Sequence, residues 1–445
     1  MKILIKGGLA LLFDGQTFKT EFKDILVDGN TISKVADPGS LSEAELKGSE
    51  LKVLDASGKL VMPGLINAHT HAYMSLFRNY ADDRDFWDWL SAVQKVEEDM
   101  TEEDCYWGTL LNAIEMIKTG TTCFVDMNIK TAKKGHTTGP LSSCSGAAND
   151  AGMRAVITRG LSGKADDEDS LVKFGRVIDE IETFKGNDRV RFWFGPHAPY
   201  SCMADYLQKL TNAAKEYDCG ITIHLSESVG EVENMLKDNG VTPIKYVSDL
   251  GLFDVPTIAA HCVQANMDDI RIMKEHGVSV AMNPKSNMKL GNGFMPAEEF
   301  LNGGVNLCLG TDGCGSNNTQ NLFAEMNAAA LIYKGDKQKA ECISAEDVLK
   351  FATVNGAKAI GMEGKLGIIK EGALADIILL NLDEPEFYPM NNIISALAYS
   401  ATGREVETVI IDGNIVMENN KILTMDPQEV YGECEKISER LGMRE

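Results

Sequence analysis

The chain has 445 residues, 44% of them hydrophobic, which is enough to bury a large core in more than one domain. Its formal net charge of −23 argues against nucleic acid or an anionic membrane as a partner, because phosphate groups select basic surfaces. The 10 cysteines form no Cys-x-x-Cys pair, and no stretch approaches the roughly 20 apolar residues of a membrane span. With an N-terminus that lacks a signal-peptide pattern, these features predict a cytoplasmic protein.

The first 58 residues alternate short strand-like runs with turn residues. Asp14-Gly15 and Asp28-Gly29 separate these runs, and Asp-Gly is a strong hairpin signal. The end of the chain has the same character, with Asp412-Gly413 between two further strand-like runs. Neither segment alone is long enough to bury a good core. We therefore expect residues 1–58 and 359–445 to pack together into one small β-sandwich.

The middle of the chain, residues 59–358, alternates strands with helices. Polar segments of helical periodicity, such as 101–119 and 204–217, separate eight apolar, β-rich runs. This alternation indicates parallel βαβ units, and eight of them predict an α/β protein with a (β/α)₈ TIM-type barrel. An open doubly wound sheet is the alternative, but no Gly-x-Gly-x-x-Gly turn supports it. The predicted strands are 60–67, 121–127, 154–161, 190–195, 220–225, 257–262, 278–282 and 305–309.

The first of these runs closes on His69 and His71. Residues two apart on a strand point to the same face, so both imidazoles would project together from the strand end. Two converging neutral imidazoles are good ligands for a borderline metal such as zinc. Because a lone His-x-His is short and common, two surface histidines in a turn remain the alternative unless distant segments supply further ligands.

Further histidines and carboxylates do follow other predicted strands. In (β/α)₈ barrels the active site lies at the carboxyl ends of the strands. Five of the seven histidines fall there, together with one glutamate and one aspartate. Each alone has an ordinary explanation, such as a buried histidine, a helix-start carboxylate or a turn residue; together they predict an active site. His136, in a polar loop, and His276, near a helix end, are expected to lie outside it. The predicted site residues are His69, His71, His197, His224, Glu227, His261 and Asp312.

Six motifs extend around these residues. They are Pro63-Gly-Leu-Ile-Asn-Ala-His-Thr-His71, His197-Ala-Pro-Tyr-Ser201, His224-Leu-Ser-Glu227, Asn283-Pro-Lys-Ser-Asn-Met-Lys-Leu290, Gly310-Thr-Asp-Gly313 and Ser316-Asn-Asn318. In these motifs the sequence resembles the amidohydrolase superfamily, and within it the 5′-methylthioadenosine and S-adenosylhomocysteine deaminases. The resemblance covers essentially the whole chain.

The resemblance implies one divalent metal ion per subunit, with zinc expected and iron(II) as the alternative. Relatives with two metals bring a bridging modified lysine from the fourth strand, and here that strand ends at His197 without such a lysine. A single ion is therefore expected. The ligands that the resemblance implies are His69, His71, His224 and Asp312.

The resemblance also implies hydrolytic deamination. Asp312 and His261 would deprotonate and aim a water that the metal makes reactive at neutral pH. Glu227 would carry a proton to the ring nitrogen beside the attacked carbon and then help ammonia leave.

Substrate contacts follow from the same resemblance. Glu97 is expected to bind the ribose hydroxyls, with Glu98 as the alternative register and a solvated acidic helix start as the ordinary explanation of both. Trp89, in the same region, is also expected to contact the substrate, and Arg159 and His197 match substrate-binding residues of the family.

The leading hypothesis is deamination of a small nucleoside, namely 5′-methylthioadenosine, S-adenosylhomocysteine, 5′-deoxyadenosine or adenosine, to the inosine analogue plus ammonia. A related aminohydrolase or chlorohydrolase acting on guanine, a pterin, cytosine or an s-triazine is the first alternative. A catalytically dead barrel used for binding is the second, but this chain keeps all the implied metal ligands. Assembly into a homo-oligomer is also expected.

Overall fold

The computed structural model describes residues 2–41, 51–128 and 142–443. Strands from both ends of the chain form one sheet, and the strands between them form two parallel sheets that close into a barrel. The strands, in chain order, are β1 (Lys2–Phe13), β2 (Phe18–Asp28), β3 (Thr31–Ala36), β4 (Leu51–Asp55), β5 (Lys59–Pro63), β6 (Leu65–Thr70), β7 (Thr121–Asn128), β8 (Arg154–Leu161), β9 (Val190–Phe192), β10 (Gly195–Pro196), β11 (Ile221–Leu225), β12 (Thr257–His261), β13 (Ser279–Met282), β14 (Asn306–Leu309), β15 (Ile377–Asn381), β16 (Val406–Ile411), β17 (Asn414–Glu418) and β18 (Lys421–Ile422).

Helices connect the barrel strands and surround them. None of the helices in the described ranges has the length and apolar character needed to cross a membrane. Short 3-10 helices cover Ala72–Phe77, Leu252–Asp254 and Pro385–Phe387. The α-helices are α1 (Phe86–Glu97), α2 (Glu102–Lys118), α3 (Ser142–Asp150), α4 (Glu168–Thr183), α5 (Ala204–Glu216), α6 (Val229–Asn239), α7 (Pro243–Asp249), α8 (Met267–Glu275), α9 (Pro284–Lys289), α10 (Ala297–Asn302), α11 (Cys314–Asn317), α12 (Leu322–Lys337), α13 (Ala345–Phe351), α14 (Val354–Ala359), α15 (Ile393–Tyr399) and α16 (Pro427–Arg440).

The barrel is built from parallel strands that follow each other around a ring. One sheet contains β6, β7, β8, β9 and β10, and the other contains β11, β12, β13 and β14. A parallel bridge between Phe194 and Ile221 joins the two sheets on one side. On the other side the backbone amide of Asp312, after β14, donates to the carbonyl of His69 in β6 at 3.0 Å. The predicted (β/α)₈ barrel is confirmed.

Two of the predicted strands are each divided in the structure. The run 190–195 becomes β9 and β10, and the run 60–67 becomes β5 and β6 on either side of Gly64. β5 pairs with β15 of the terminal sheet, whereas β6 pairs with β7 of the barrel. A Cβ on Gly64 would lie 2.1 Å from Thr122 Oγ1, so a larger residue would block this crossing. The predicted limits, residues 1–58 with 359–445 for the terminal domain and 59–358 for the barrel, stay a prediction. β5, which lies within 59–358, is hydrogen-bonded to the terminal sheet.

Within the described residues the terminal sheet has nine strands, in the order β18-β17-β16-β15-β5-β1-β2-β3, with β4 beside β1. The three Asp-Gly steps lie at the predicted hairpins, which join β1 to β2, β2 to β3 and β16 to β17. Residues from both ends of the chain, including Ile5, Val27 and Ile377, form a hydrophobic cluster of their own beside that of the barrel. The two terminal segments therefore share one core, as the sequence predicts.

Candidate active site

The structure brings the seven predicted site residues together at the carboxyl ends of the barrel strands. His69 lies in β6, His224 in β11 and His261 is the last residue of β12. The others follow their strands within a few residues and line the same cavity. That cavity is bordered by His71, His197, His224, Glu227, His261 and Asp312, together with residues of α1 and of the 3-10 helix after β6.

Three imidazoles and one carboxylate converge at the base of this cavity. His71 Nε2 lies 3.2 Å from His224 Nε2 and 3.3 Å from Asp312 Oδ1, and His69 Nε2 lies 3.6 Å from the same oxygen. Two nitrogen ligands of a tetrahedral ion, each bonded at about 2.0–2.1 Å, would be a little over 3 Å apart. The set of three nitrogens and one oxygen therefore fits a zinc-like divalent ion.

The hydrogen bonds on the outer side of these rings determine which nitrogen faces inward. His71 Nδ1 lies 2.7 Å from the carbonyl oxygen of Met127, and His224 Nδ1 lies 2.6 Å from that of His197. Because a carbonyl oxygen only accepts, each Nδ1 carries the proton and each Nε2 presents a lone pair. Buried His69 Nε2 has no hydrogen-bond partner within the described residues. Nitrogen lone pairs that converge on one point in this way are what a metal site requires.

The environment also favours the charge states of metal ligands. Burial lowers the pKa of His69 to about 4 and lowers the pKa of His224 well below its usual value, where the neighbouring imidazoles act in the same direction. Burial opposes ionisation of Asp312, but the neighbouring imidazoles, first that of His69 at 3.6 Å and then those of His261 and His71, hold its pKa well below its ordinary value. Neutral histidines and an ionised aspartate are therefore available near pH 7.

Two serine hydroxyls orient the Asp312 carboxylate. Ser286 Oγ donates to Asp312 Oδ2 at 2.7 Å and Ser316 Oγ donates to the same oxygen at 2.9 Å. The other oxygen, Oδ1, accepts from the backbone amide of Gly313 and faces the histidines. Both serines belong to motifs that carry the sequence resemblance, but the sequence assigned them no role.

Glu227 and His261 lie beside the metal-binding group. Glu227 Oε2 is 3.8 Å from His261 Nε2, and Glu227 Oε1 accepts from Asn292 Nδ2 at 3.0 Å. Burial, and then the charge of Asp312, raise the pKa of Glu227 well above its usual value. His261 Nδ1 contacts Asn287 Oδ1 at 2.9 Å, which leaves Nε2 turned toward the cavity. The arrangement places a proton donor and a proton acceptor side by side.

A third acidic residue, Glu97, lines the same cavity as Glu227 and Asp312. Glu97, the last residue of α1, is 4% exposed and accepts a hydrogen bond from Tyr73 Oη in the 3-10 helix after β6. The alternative register is not supported by position, because Glu98 is exposed. Trp89 also lines the cavity, and its Nε1 donates to the carbonyl of Gly315 in α11 at 3.0 Å, which holds α1 against α11.

The remaining predicted residues have different positions. His197 lines the cavity, with Nδ1 3.1 Å from Ser201 Oγ. Arg159 is buried at the carboxyl end of β8 and is not among the described residues that line the cavity, so its binding role stays a prediction. His276 caps the end of α8, away from the site, and His136 lies outside the described residues.

Left-handed backbone occurs at three strand ends that carry site residues. The φ angles are 49° at Ser226, 73° at His261 and 62° at Asp312. Residues other than glycine rarely adopt this conformation, and such positions cluster where a functional side chain must be aimed. Each turn directs the chain so that side chains after β11, β12 and β14 enter one cavity.

Sequence reasoning missed several residues that support this site. Asn287 and Asn292 contact His261 and Glu227, but their spacing from these partners along the chain gave no local signal. Glu231 accepts hydrogen bonds from the backbone amides of Ser226 and Glu227. A signal for Glu231 did exist, because Ser-x-x-Glu is a capping pattern that marks a helix start.

Comparison with known proteins agrees with this geometry. Residues 60–416 match the Amidohydrolase family. The chain is 41% identical over 447 residues, covering 100% of both chains, to a 5-methylthioadenosine/S-adenosylhomocysteine deaminase of Thermoanaerobacter pseudethanolicus. It is 42% identical to a 5′-deoxyadenosine deaminase of Methanocaldococcus jannaschii, covering 94% of this chain and 96% of the relative. An adenosine deaminase structure from Xanthomonas campestris with bound zinc has a TM-score of 0.91, 28% identity and 99% coverage of both chains.

Proposed function

This chain belongs to the amidohydrolase family, and we propose that it deaminates 5′-modified adenosines by hydrolysis. The substrates would be 5′-methylthioadenosine, S-adenosylhomocysteine, 5′-deoxyadenosine or adenosine, and the products the inosine analogue and ammonia. The observation that carries the proposal is a single cavity with a metal-binding group and Glu227 at its base and Glu97 on its wall. The names of full-length relatives at 41% and 42% identity support the same substrate class.

The metal in this proposal is one divalent ion, zinc by preference and iron(II) as the alternative. The donor set of imidazole nitrogens and one carboxylate oxygen suits zinc. When bound, the ion supplies the Lewis acidity that makes water a nucleophile at neutral pH. The residues that would hold it are His69, His71, His224 and Asp312.

Proton transfer in this proposal belongs to His261 and Glu227, with Asp312 helping His261 to deprotonate and aim the water. His261 Nε2 faces the cavity and would accept the proton of the attacking water, because its Nδ1 is already hydrogen-bonded to Asn287. Protonated Glu227 would donate to the ring nitrogen next to the attacked carbon. Glu227, then ionised, would take the proton of the added hydroxyl as the carbonyl forms, and protonated His261 would give its proton to the amino group, which leaves as ammonia. Asn292 holds the Glu227 carboxyl in place for both transfers.

The assignment of a nucleoside, rather than a free base, depends on Glu97. A buried carboxylate that already accepts from Tyr73 is suited to accept from a sugar hydroxyl as well. Guanine, pterins, cytosine and s-triazines have no ribose to bind. The contacts expected of Trp89, His197 and Arg159 are part of the same proposal.

Ammonia release from a fixed panel tests the proposal. The panel is adenosine, 5′-deoxyadenosine, 5′-methylthioadenosine, S-adenosylhomocysteine, adenine, guanine and cytosine, with His69→Ala as the blank. Turnover confined to the adenine nucleosides is expected. Turnover of free bases alone would contradict the ribose contact at Glu97, and silence across the panel with metal bound would overturn the substrate class.

Two further measurements complete the proposal. Elemental analysis of the purified protein should find one divalent metal per chain, and chelation should remove both metal and activity. Assembly into a homo-oligomer is tested by light scattering of the native protein, where the mass of a single chain would contradict it.

A further inference from the structure

We infer that Glu231 is a positioning residue that fixes Glu227, the proposed proton carrier, by holding the backbone on which it stands. The inference rests on the role proposed above for Glu227. Glu231 lies in the first turn of α6, is 4% exposed and does not line the cavity among the described residues. It would therefore act through Glu227 and not through contact with substrate.

The geometry of this contact is specific. Glu231 Oε1 accepts from the amide of Ser226 at 3.0 Å, and Oε2 accepts from the amide of Glu227 at 2.7 Å. In the usual capping box a glutamate at this helix position reaches back to the N-cap amide, which here is that of Ser228. Glu231 instead reaches the two amides that precede the N-cap. Its carboxylate is therefore hydrogen-bonded through both oxygens to the short link between β11 and α6.

This link needs such support because its backbone is unusual. Ser226 has a φ of 49°, a conformation that residues other than glycine rarely adopt. The left-handed turn redirects the chain after β11, so that Glu227 points back toward the histidines. A carboxylate with both oxygens engaged by consecutive amides holds that turn in one conformation.

Two separate contacts thus define the position of the Glu227 carboxyl. Asn292 holds the side chain at Oε1 and Glu231 holds the main chain. Burial keeps water from replacing the Glu231 contacts. Without them the turn at Ser226 would relax, and Glu227 would spend less time within reach of the substrate nitrogen.

The first test is independent of activity. Hydrogen exchange of the amides of Ser226 and Glu227 is measured in the wild type, in Glu231→Ala and in Glu231→Gln, all as the full chain. Both amides should be protected in the wild type, exposed to exchange in the alanine variant and intermediate in the glutamine variant, which keeps one acceptor oxygen. Unchanged protection in the alanine variant would overturn the inference.

The second test uses kinetics on the best substrate of the panel. Glu231→Ala should lower kcat by about 10- to 100-fold, as loss of supporting hydrogen bonds at metal-dependent sites commonly does. KM should change much less and metal content should stay constant, with glutamine partly restoring kcat. Glu180→Ala is the control, because Glu180 is equally buried and hydrogen-bonded in α4, on another part of the barrel. An equal loss in the control, or loss of metal in step with activity, would refute positioning.

A double variant separates positioning from an independent effect. If Glu231 acts through Glu227, adding Glu231→Ala to Glu227→Gln should lower kcat little further. A loss equal to the product of the two single losses would contradict the inference. If the wild type deaminates nothing on the panel, the proposed function fails, while the exchange measurement still decides whether Glu231 holds the turn.

Discussion

Replacing Glu97 by glutamine tests whether this cavity is built for a nucleoside. The substitution keeps the size of a side chain that is 4% exposed and hydrogen-bonded to Tyr73, but it removes the negative charge. A ribose hydroxyl donates a stronger hydrogen bond to a carboxylate than to an amide oxygen. The metal-binding group and Glu227 lie elsewhere in the cavity and should be unaffected.

The size of the effect follows from the kind of bond that is lost. Hydrogen bonds to charged groups contribute about 1.5–3 kcal/mol. One such bond lost in the transition state corresponds to a fall in kcat/KM of about 10- to 150-fold. The fall should be shared by every nucleoside on the panel, because all of them carry the same ribose hydroxyls.

The assay compares kcat/KM for 5′-methylthioadenosine and 5′-deoxyadenosine in the wild type, Glu97→Gln and Glu98→Gln. The Glu98 variant is the matched control, because Glu98 is the next residue and is exposed. It should behave as the wild type. An unchanged kcat/KM in Glu97→Gln, or an equal loss in Glu98→Gln, would refute the ribose contact and favour a free base or a triazine as substrate.

Three other predictions follow from buried charges. Glu227→Gln cannot carry a proton, so kcat should fall by about 10²–10⁴ with the metal content unchanged; a fall smaller than tenfold would contradict its role. Arg154→Met leaves the buried Asp376 carboxylate without its bidentate partner at 2.9 and 3.0 Å. The free energy of unfolding, measured in urea, should fall by about 3–5 kcal/mol. For the control Arg271→Met, at an exposed ion pair, it should fall by about 1 kcal/mol or less. Burial raises the pKa of Glu325 from 4.5 to about 7. Its contribution to stability is therefore greatest below pH 4.5 and falls as the pH rises to about 7, by about 3 kcal/mol at most. Glu325→Gln should flatten the dependence of Tm on pH over that range, and parallel curves of wild type and variant would contradict this.

Much of the barrel could be predicted because its signals are local. Each buried strand is a short apolar run bounded by polar or turn residues. Such runs can be recognised in the sequence without knowledge of the neighbouring strands. Six of the eight predicted strands match the structure within two residues at each end. The site histidines could be predicted for the same reason, since each directly ends or follows such a run.

What could not be predicted depends on partners that are distant in the chain. The Tyr73–Glu97 hydrogen bond joins a 3-10 helix to the end of α1, and the contact between Asn292 and Glu227 spans 65 residues. No periodicity encodes these pairs, because they arise only when the barrel closes. The division of the run 60–67 into β5 and β6 could not be predicted either, because both halves are apolar and only their hydrogen-bond partners differ.

Gly310 belongs to one of the sequence motifs, and closure of the barrel explains why this position must be glycine. A Cβ at this position would lie 2.4 Å from Asn283 Oδ1 and 2.8 Å from His69 Cβ. The chain after β14 must pass this close to β6, because the amide of Asp312 bonds to the carbonyl of His69 there. Only glycine leaves room for both strands. The same close approach brings Asp312 to the histidines, so closure of the fold and assembly of the metal-binding group depend on one contact.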